Sequence, residues 1–172
     1  MKRLIVLRHA KSSWDGPNLD DFDRPLNARG WKAARRMGTE LKRRDMQFDL
    51  ALASPALRVR ETLNGLAEGY GAFAFPIRFE RVIYGADTAA LFDLVRTLPD
   101  DAGECLLVGH NPGLQRLILE LAVNDKNGLR DCVADRYPTA ALAVIELAAQ
   151  HWEDVAPGRG KLVELILPKE LD

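Results

Sequence analysis

Short apolar runs alternate with longer amphipathic stretches along most of the chain. Nearly continuous apolar runs occur at residues 4–7, 48–53 and 104–109, and a weaker run occurs at residues 74–80. Such runs are typical of strands that are buried on both faces of a parallel sheet. The pattern therefore predicts four strands that are joined by helical connections.

Between these runs, apolar residues recur at the spacing of an amphipathic helix. Four helices are predicted: from a cap at Asn27 to about residue 44, from Ser54 to about residue 66, from Asp87 or Thr88 to residue 98, and after a turn within residues 110–123. Ser54 is predicted as the N-cap of the second helix and Pro55 as its first residue, since both residue types favour those positions.

Two late apolar segments, residues 140–148 and 161–168, are close enough to pair as an antiparallel hairpin around "PGRG". Alternating strands and helices indicate an α/β class of fold. We predict a three-layer α/β/α architecture with a mainly parallel central sheet and an antiparallel late strand. The 172 residues suit one domain, which we expect to span residues 1–172.

The composition favours a soluble cytoplasmic protein. The formal net charge is −1, which argues against a dedicated nucleic-acid or membrane-surface binder. The two cysteines, Cys105 and Cys132, lie far apart and do not suggest a disulfide framework. No apolar run approaches the roughly 18 residues that a membrane span needs, and no signal peptide is expected at the N-terminus.

Basic and imidazole side chains follow three of the predicted parallel strands. Arg8 and His9 come directly after the first strand, Arg58 lies in the first turn after the second, and His110 with Asn111 follows the fourth. Because ligand sites form outside the carboxyl ends of the strands in open α/β sheets, we expect these side chains to meet at one edge.

Two imidazoles and two guanidiniums in one cleft repel one another unless an anion lies among them. A phosphoryl group fits, since guanidinium binds its oxygens bidentately. His9 is the candidate nucleophile, and His110, Arg8 and Arg58 would stabilise charge on the transferred group. The cations are supplied by the chain, so we predict a site that needs neither a metal nor another cofactor.

These pieces resemble the motifs of the histidine phosphatase superfamily, the phosphoglycerate-mutase-like fold. That family has Arg-His-Gly after the first strand, Ser-x-x-x-Arg opening the helix after the second, and a late Gly-His. The chain reads "LRHA", "SPALRVRET" and "VGHNPG" at those places. The resemblance implies that Arg8, His9, Arg58 and His110 are catalytic residues of a phosphatase.

The chain is most similar to the SixA-type phosphohistidine phosphatase branch, through "DFDRPLNARGWKAA", "VGHNPGL" and "YPTAALAVIEL". Relatives that act on sugar or glycerate phosphates carry a glutamate as general acid before the third helix. Here that region reads "RFERVIYGADTAA", where Glu80 and Asp87 are candidate acids. Lys11 stands where mutase-type relatives have an acidic residue or glutamine, which argues against mutase activity.

The resemblance leaves the substrate open. Only a few residues, "EGYGAFAF", lie between the second helix and "RFERVIYG", so we expect a shallow cleft that suits a phosphohistidine on a partner protein. Small phosphomonoesters or phosphoanhydrides are the alternative, and a third hypothesis is a phosphate-binding module without turnover. Lys11, Ser12 and Asn111 are candidate substrate-binding residues, Thr139 is expected near the phosphate, and Trp14 is expected to be a packed anchor.

Overall fold

The computed structural model describes residues 1–16 and 18–171. Pro17 and Asp172, both within the domain predicted for residues 1–172, lie outside the described residues. The described strands form one sheet and are β1 (Lys2–Arg8), β2 (Leu50–Ala53), β3 (Ile77–Phe79), β4 (Glu104–Gly109), β5 (Ala122–Asp125), β6 (Leu142–Leu147) and β7 (Gly160–Ile166).

The strand order across the sheet is β3-β2-β4-β1-β6-β7-β5. β1 to β4 run parallel to one another, and β6 is antiparallel to both β1 and β7. β5 pairs parallel with β7. The prediction of a mainly parallel sheet with one antiparallel late strand is therefore confirmed, as is the late hairpin.

Helices cover both faces of the sheet, which confirms the three-layer architecture. They are α1 (Ala28–Arg43), α2 (Leu57–Tyr70), α3 (Thr88–Val95), α4 (Gly113–Leu121) and α5 (Leu129–Asp135). Ile5 and Leu7 of β1 face a core shared with α1 and α2, whereas Leu4 and Val6 face the core shared with α3, α4 and α5. None of the helices in the described ranges has the length and apolar character of a membrane span.

The second helix begins later than predicted. Ser54 is not its N-cap, because the Ser54 amide still donates to Val108 O at 3.1 Å and so continues the sheet. The chain needs two more residues to turn, and α2 begins at Leu57 after Ala56. The Ser54 hydroxyl accepts from the Ala56 amide at 3.2 Å and is wholly buried.

Two elements were not predicted. β5 begins in the last two residues of the segment that was predicted to contain the fourth helix and extends beyond it, and α5 follows. β5 has two exposed residues among its four, and it forms only by pairing with β7, which lies far along the chain. Such a pairing leaves little local signal, because tertiary contacts decide the conformation of a short edge strand. α3 also ends at Val95, with tighter turns through Leu98.

The segment before α1 is tied to the loop that follows β1. Ser12 and Leu26 form an antiparallel bridge, and the Asn27 amide donates to Lys11 O at 3.0 Å. Asn27 caps α1 as predicted, accepting from the Gly30 amide at 2.8 Å. Gly30 packs so closely that a Cβ there would lie 2.1 Å from Lys11 O. The beginning of α1 therefore fixes the loop after His9.

Gly30→Ala is expected to destabilise the protein, although alanine favours helix by about 1 kcal/mol over glycine. The added methyl group meets a backbone oxygen that cannot rotate away, and such overpacking costs about 1–3 kcal/mol. Urea unfolding measures the change. Gly103→Ala is the control, since its nearest neighbour would be Asp49 Oδ2 at 3.7 Å. Equal stability of Gly30→Ala and the parent chain would contradict the packing described.

Candidate active site

The edge formed by the carboxyl ends of the parallel strands brings His9 and His110 together. Arg8 lies opposite Gly109 in the β1–β4 register, and the His9 amide donates to Gly109 O at 3.0 Å. Both strands therefore end at the same level. The two imidazole rings, a hundred residues apart in sequence, have centroids separated by 5.2 Å.

A cleft of about 450 Å³ opens at this edge. Five arginine or lysine side chains and both imidazoles line it, and no carboxylate of the described residues does. The four residues singled out by their positions after the strands, Arg8, His9, Arg58 and His110, are all among the lining residues. The cleft is therefore strongly positive, which favours an anionic ligand.

His9 is oriented by the backbone that follows it. Its Nδ1 lies 2.7 Å from Ala10 O, and because a carbonyl can only accept, Nδ1 carries the proton. Nε2 then holds the free electron pair. The Ala10 amide donates to Thr62 Oγ1 at 2.9 Å, so α2 helps to hold this turn. Burial, and then the neighbouring His110, Arg58 and Arg8, lower the pKa of His9 to about 3.

His110 lies between Ser54 and Tyr84. Its Nε2 is 2.8 Å from Ser54 Oγ, and the Tyr84 ring meets it edge-on with centroids 5.4 Å apart. Burial, and then the charge of Arg58, lower the pKa of His110 to about 4. Both imidazoles are thus neutral at pH 7. Ser54 had been predicted only as a helix cap, so its contact with His110 was missed.

Arg58 is held by a carboxylate that the sequence analysis did not select. It donates to Asp21 O at 2.6 Å and to Asp21 Oδ2 at 3.0 Å. Asp21 also accepts from Tyr84 Oη at 2.6 Å and from Arg24 Nε at 3.0 Å. The hydrogen bond from Tyr84, followed by the arginines, lowers the pKa of Asp21 to about 2. Asp21 precedes Arg24 by three residues in the "DFDRPLN" motif, which was the available signal.

Three buried donors or acceptors of the site have no hydrogen-bond partner among the described residues. They are Nε of Arg8, Nε of Arg58 and Nδ1 of His110. Arg8 uses another guanidinium nitrogen to donate to Tyr137 O at 3.0 Å. Buried polar atoms are normally satisfied, so groups left without a partner at a cleft indicate a ligand with several hydrogen-bonding atoms.

The other candidate substrate-binding residues also line the cleft. Ser12 Oγ accepts from an Arg24 guanidinium nitrogen at 2.7 Å, and Asn111 Nδ2 donates to Tyr137 O at 2.8 Å. Lys11 is exposed at the rim. Thr139 lies in the lining as expected, because β6 runs antiparallel and begins at this edge.

Trp14 is not the packed anchor that was expected. Its side chain is 80% exposed, and its ring lies 3.6 Å from the Arg24 guanidinium carbon. The loop after β1 runs over the surface and is held to the segment before α1 by backbone bonds. It therefore needs no buried aromatic side chain, and Trp14 forms part of the cleft rim.

The two candidate acids do not line the cleft. Glu80 accepts from Arg78 at 3.0 and 3.1 Å, which ties it to a neighbouring side chain on β3. Asp87 caps α3 and accepts from the Ala90 amide at 2.9 Å. Asp87 lines a separate depression beside His110 and Asn111. Within the described ranges, no group of three or more His, Cys, Asp or Glu side chains could hold a metal ion.

We expect the pKa values of the three histidines to be shifted in opposite directions from the ordinary value. His9 and His110 have lowered pKa values, whereas the hydrogen bond to Asp100 raises the pKa of exposed His151. NMR titration should show His9 and His110 neutral down to about pH 5 and His151 protonating above its ordinary 6.5. His151 is the internal control, and protonation of His9 near pH 6.5 would contradict the described burial.

The same shifts give a stability profile. The unfolded chain protonates its histidines near 6.5, while His9 and His110 in the folded chain resist protonation until about 3 and 4. The stability due to neutral imidazoles is therefore fully present above pH 6.5 and is lost as the pH falls towards 4. Urea midpoints that fall over this window, and fall less in a His9→Gln variant, would confirm it.

The comparisons with known proteins agree with this geometry. Residues 4–81 match the model of the histidine phosphatase superfamily (branch 1). The uncharacterized protein Rv1276c of Mycobacterium tuberculosis is 32% identical over 166 residues, which are 95% of this chain and 100% of that protein.

Two solved structures assigned as phosphohistidine phosphatase SixA share the fold. The Agrobacterium tumefaciens structure has a TM-score of 0.80 and 27% identity, covering 97% of this chain and 98% of its own. The Nakamurella multipartitia structure has a TM-score of 0.77 and 28% identity, covering 97% and 96%. These matches confirm the predicted phosphoglycerate-mutase-like fold and the resemblance to the SixA branch. This chain belongs to the histidine phosphatase superfamily.

Proposed function

We propose that this protein is a metal-independent phosphatase that forms a phosphohistidine intermediate on His9 and dephosphorylates phosphohistidine on a partner protein. We also propose that the chain does so as one domain. The cleft carries the proposal: five cationic side chains and two neutral imidazoles line it, and none of the described carboxylates does. Such a set of charges matches a phosphoryl group with several anionic oxygens.

The chemistry needs two displacements at phosphorus. Nε2 of His9 attacks, a bond forms between that nitrogen and phosphorus, and the bond to the substrate nitrogen breaks. A water molecule then attacks the phosphohistidine, releases inorganic phosphate and restores neutral His9. Arg8, Arg58 and His110 would stabilise the charge on the equatorial oxygens in both steps, and each side chain has one nitrogen with no hydrogen-bond partner among the described residues.

The leaving group distinguishes the substrate classes. An imidazole released from a phosphoramidate takes up a proton near neutral pH, whereas an alkoxide needs a strong general acid. Asp21, the carboxylate that contacts Arg58, has a pKa of about 2 and is ionised at pH 7. Neither Glu80 nor Asp87 lines the cleft. A site without a protonated carboxyl therefore favours a phosphoramidate over an alkyl phosphate.

The shape of the cleft favours a protein as substrate. Only residues 71–76 connect α2 to β3, and their aromatic side chains Phe73 and Phe75 pack on Phe48 and Tyr70. That segment is engaged with the core rather than with the cleft. A phosphorylated side chain presented by another protein can enter such an open site, whereas a small metabolite would be poorly enclosed.

Brief incubation with a labelled phospho-donor followed by quenching tests the intermediate. We expect an acid-labile, base-stable label on His9 and none in His9→Ala. Arg58→Ala should retain the fold and lose on the order of 10²–10³ in turnover, as when one preorganised donor is removed. A label on an aspartate or cysteine would disprove the mechanism, and phosphate binding without hydrolysis would favour a binding module.

The substrate is tested by comparing a phosphohistidine protein with sugar phosphates and p-nitrophenyl phosphate. A higher kcat/KM for the phosphohistidine protein is expected. A preference for the sugar phosphates would instead identify a small-molecule phosphomonoesterase.

The substitutions Glu80→Gln and Asp87→Asn test whether either carboxyl group acts as a general acid. Both should keep turnover within about twofold, because surface substitutions away from a site have small effects and asparagine also caps a helix. Phosphohistidine hydrolysis between pH 5 and 9 is the measurement. A loss above tenfold in either variant, with an unchanged melting temperature, would restore that residue as the acid.

A further inference from the structure

A second and larger cavity adjoins the catalytic cleft. It has a volume of about 780 Å³ and lies between α1, the end of α5 and the C-terminal residues 167–170. Lys11, Arg136, Pro138 and Thr139 line both cavities, so the two cavities are neighbours. We call this second cavity the basic groove, after its six cationic lining residues: Lys11, Arg29, Lys32, Arg36, Arg136 and Lys169.

The balance of basic and acidic residues in the basic groove differs strongly from that of the whole chain. Among the described residues that line it, six are cationic and two, Asp135 and Glu170, carry carboxylates, whereas the whole chain has 24 basic and 25 acidic residues. Lys11, Arg29, Lys32, Arg136 and Lys169 are exposed, and none of these five forms an ion pair within the described chain. By contrast, Arg35 on another side of α1 pairs with Glu68. An excess of unpaired charge of one sign creates a potential that attracts an anionic partner.

Two of these cations lie near the beginning of α1, where a positive charge lowers the stability of the helix. Arg29 lies in the first turn of α1 and Lys32 less than a turn later, and the first turn holds no acidic residue. The backbone amides there already carry partial positive charge, so an acidic side chain would be stabilising and a basic one is not. A residue that departs from such a local preference, with no compensating contact, is expected at functional sites.

The lining also indicates the class of partner. None of the described residues that line the groove is aromatic, whereas proteins that bind single-stranded nucleic acid usually offer rings on which bases stack. Ala33, Pro138, Leu167 and Pro168 add apolar surface between the charges. Alternating cationic and apolar surface suits a polypeptide with acidic and aliphatic side chains.

We propose that the basic groove binds an acidic segment of the substrate protein, adjacent to the phosphorylated residue in the catalytic cleft. This inference rests on the proposed function for its substrate and, for its geometry, on the four residues that line both cavities. Close packing of Gly30 against Lys11 O fixes the beginning of α1 beside the loop after His9. The beginning of α1, with its charges, therefore lies beside the loop that follows the candidate nucleophile.

The test uses two peptides, each with a single histidine that is phosphorylated by reaction with phosphoramidate. In the acidic peptide this histidine is flanked on both sides by Asp and Glu, and in the neutral peptide by Asn and Gln. The parent chain should hydrolyse an acidic peptide with a kcat/KM roughly tenfold higher than its neutral counterpart, with an advantage that declines as salt rises. Arg29→Glu/Lys32→Glu should abolish that advantage while p-nitrophenyl phosphate turnover stays unchanged. Its melting temperature should be equal or higher, because acidic residues favour the start of α1.

The matched control is Lys42→Glu/Lys161→Glu, which changes the net charge equally at exposed positions outside the groove. It should keep the preference for the acidic peptide. Equal hydrolysis of acidic and neutral peptides by the parent chain would overturn the inference and leave the proposed function intact.

A binding assay separates the two proposals. Fluorescent, unphosphorylated acidic peptide is titrated into His9→Ala, with and without Arg29→Glu/Lys32→Glu, and a single-stranded oligonucleotide is titrated in parallel. Weaker peptide binding only in the charge-reversed chain supports the inference even if no phosphohistidine is hydrolysed. Unchanged peptide binding, or tighter binding of the oligonucleotide through the same residues, would overturn it.

Discussion

The site depends on holding many positive charges around two imidazoles that remain neutral. Burial makes protonation of His9 and His110 costly, and the neighbouring guanidiniums increase that cost. The result is an electron pair available on Nε2 of His9 at neutral pH. The same burial that would make a cation unstable is what makes His9 a candidate nucleophile.

Asp21 relieves part of the charge repulsion without entering the cleft. It binds Arg58 and Arg24 and accepts from Tyr84, so it fixes the direction of Arg58 while the cleft lining itself stays free of carboxylates. An anionic ligand would complete this balance of charge. The cost of assembling the cations is thus offset partly by one carboxylate of the chain and, in the proposed reaction, by the phosphoryl group.

The motif "DFDRPLNARG" has more structural roles than the helix cap at Asn27 that its sequence predicts. Its residues pair with the loop after β1, cap α1 at Asn27 and allow the close approach of Gly30 to Lys11. The segment therefore connects the loop after the candidate nucleophile to α1 through backbone contacts. The proposed peptide-binding role of α1 depends on that connection, because it places the cations of α1 beside the cleft.

The sequence by itself determined the class of fold, six of the seven described strands and the four residues that meet at the sheet edge. Those features follow from local periodicity and from the rule that parallel strands end together. Only the tertiary structure revealed β5, the contact of Ser54 with His110 and the pairing of Asp21 with Arg58. It also placed Glu80 and Asp87 away from the cleft and showed that residues from α1, α5 and the C-terminal end form one basic groove. These features join positions that are distant along the chain, and such contacts leave no periodic signal in the sequence.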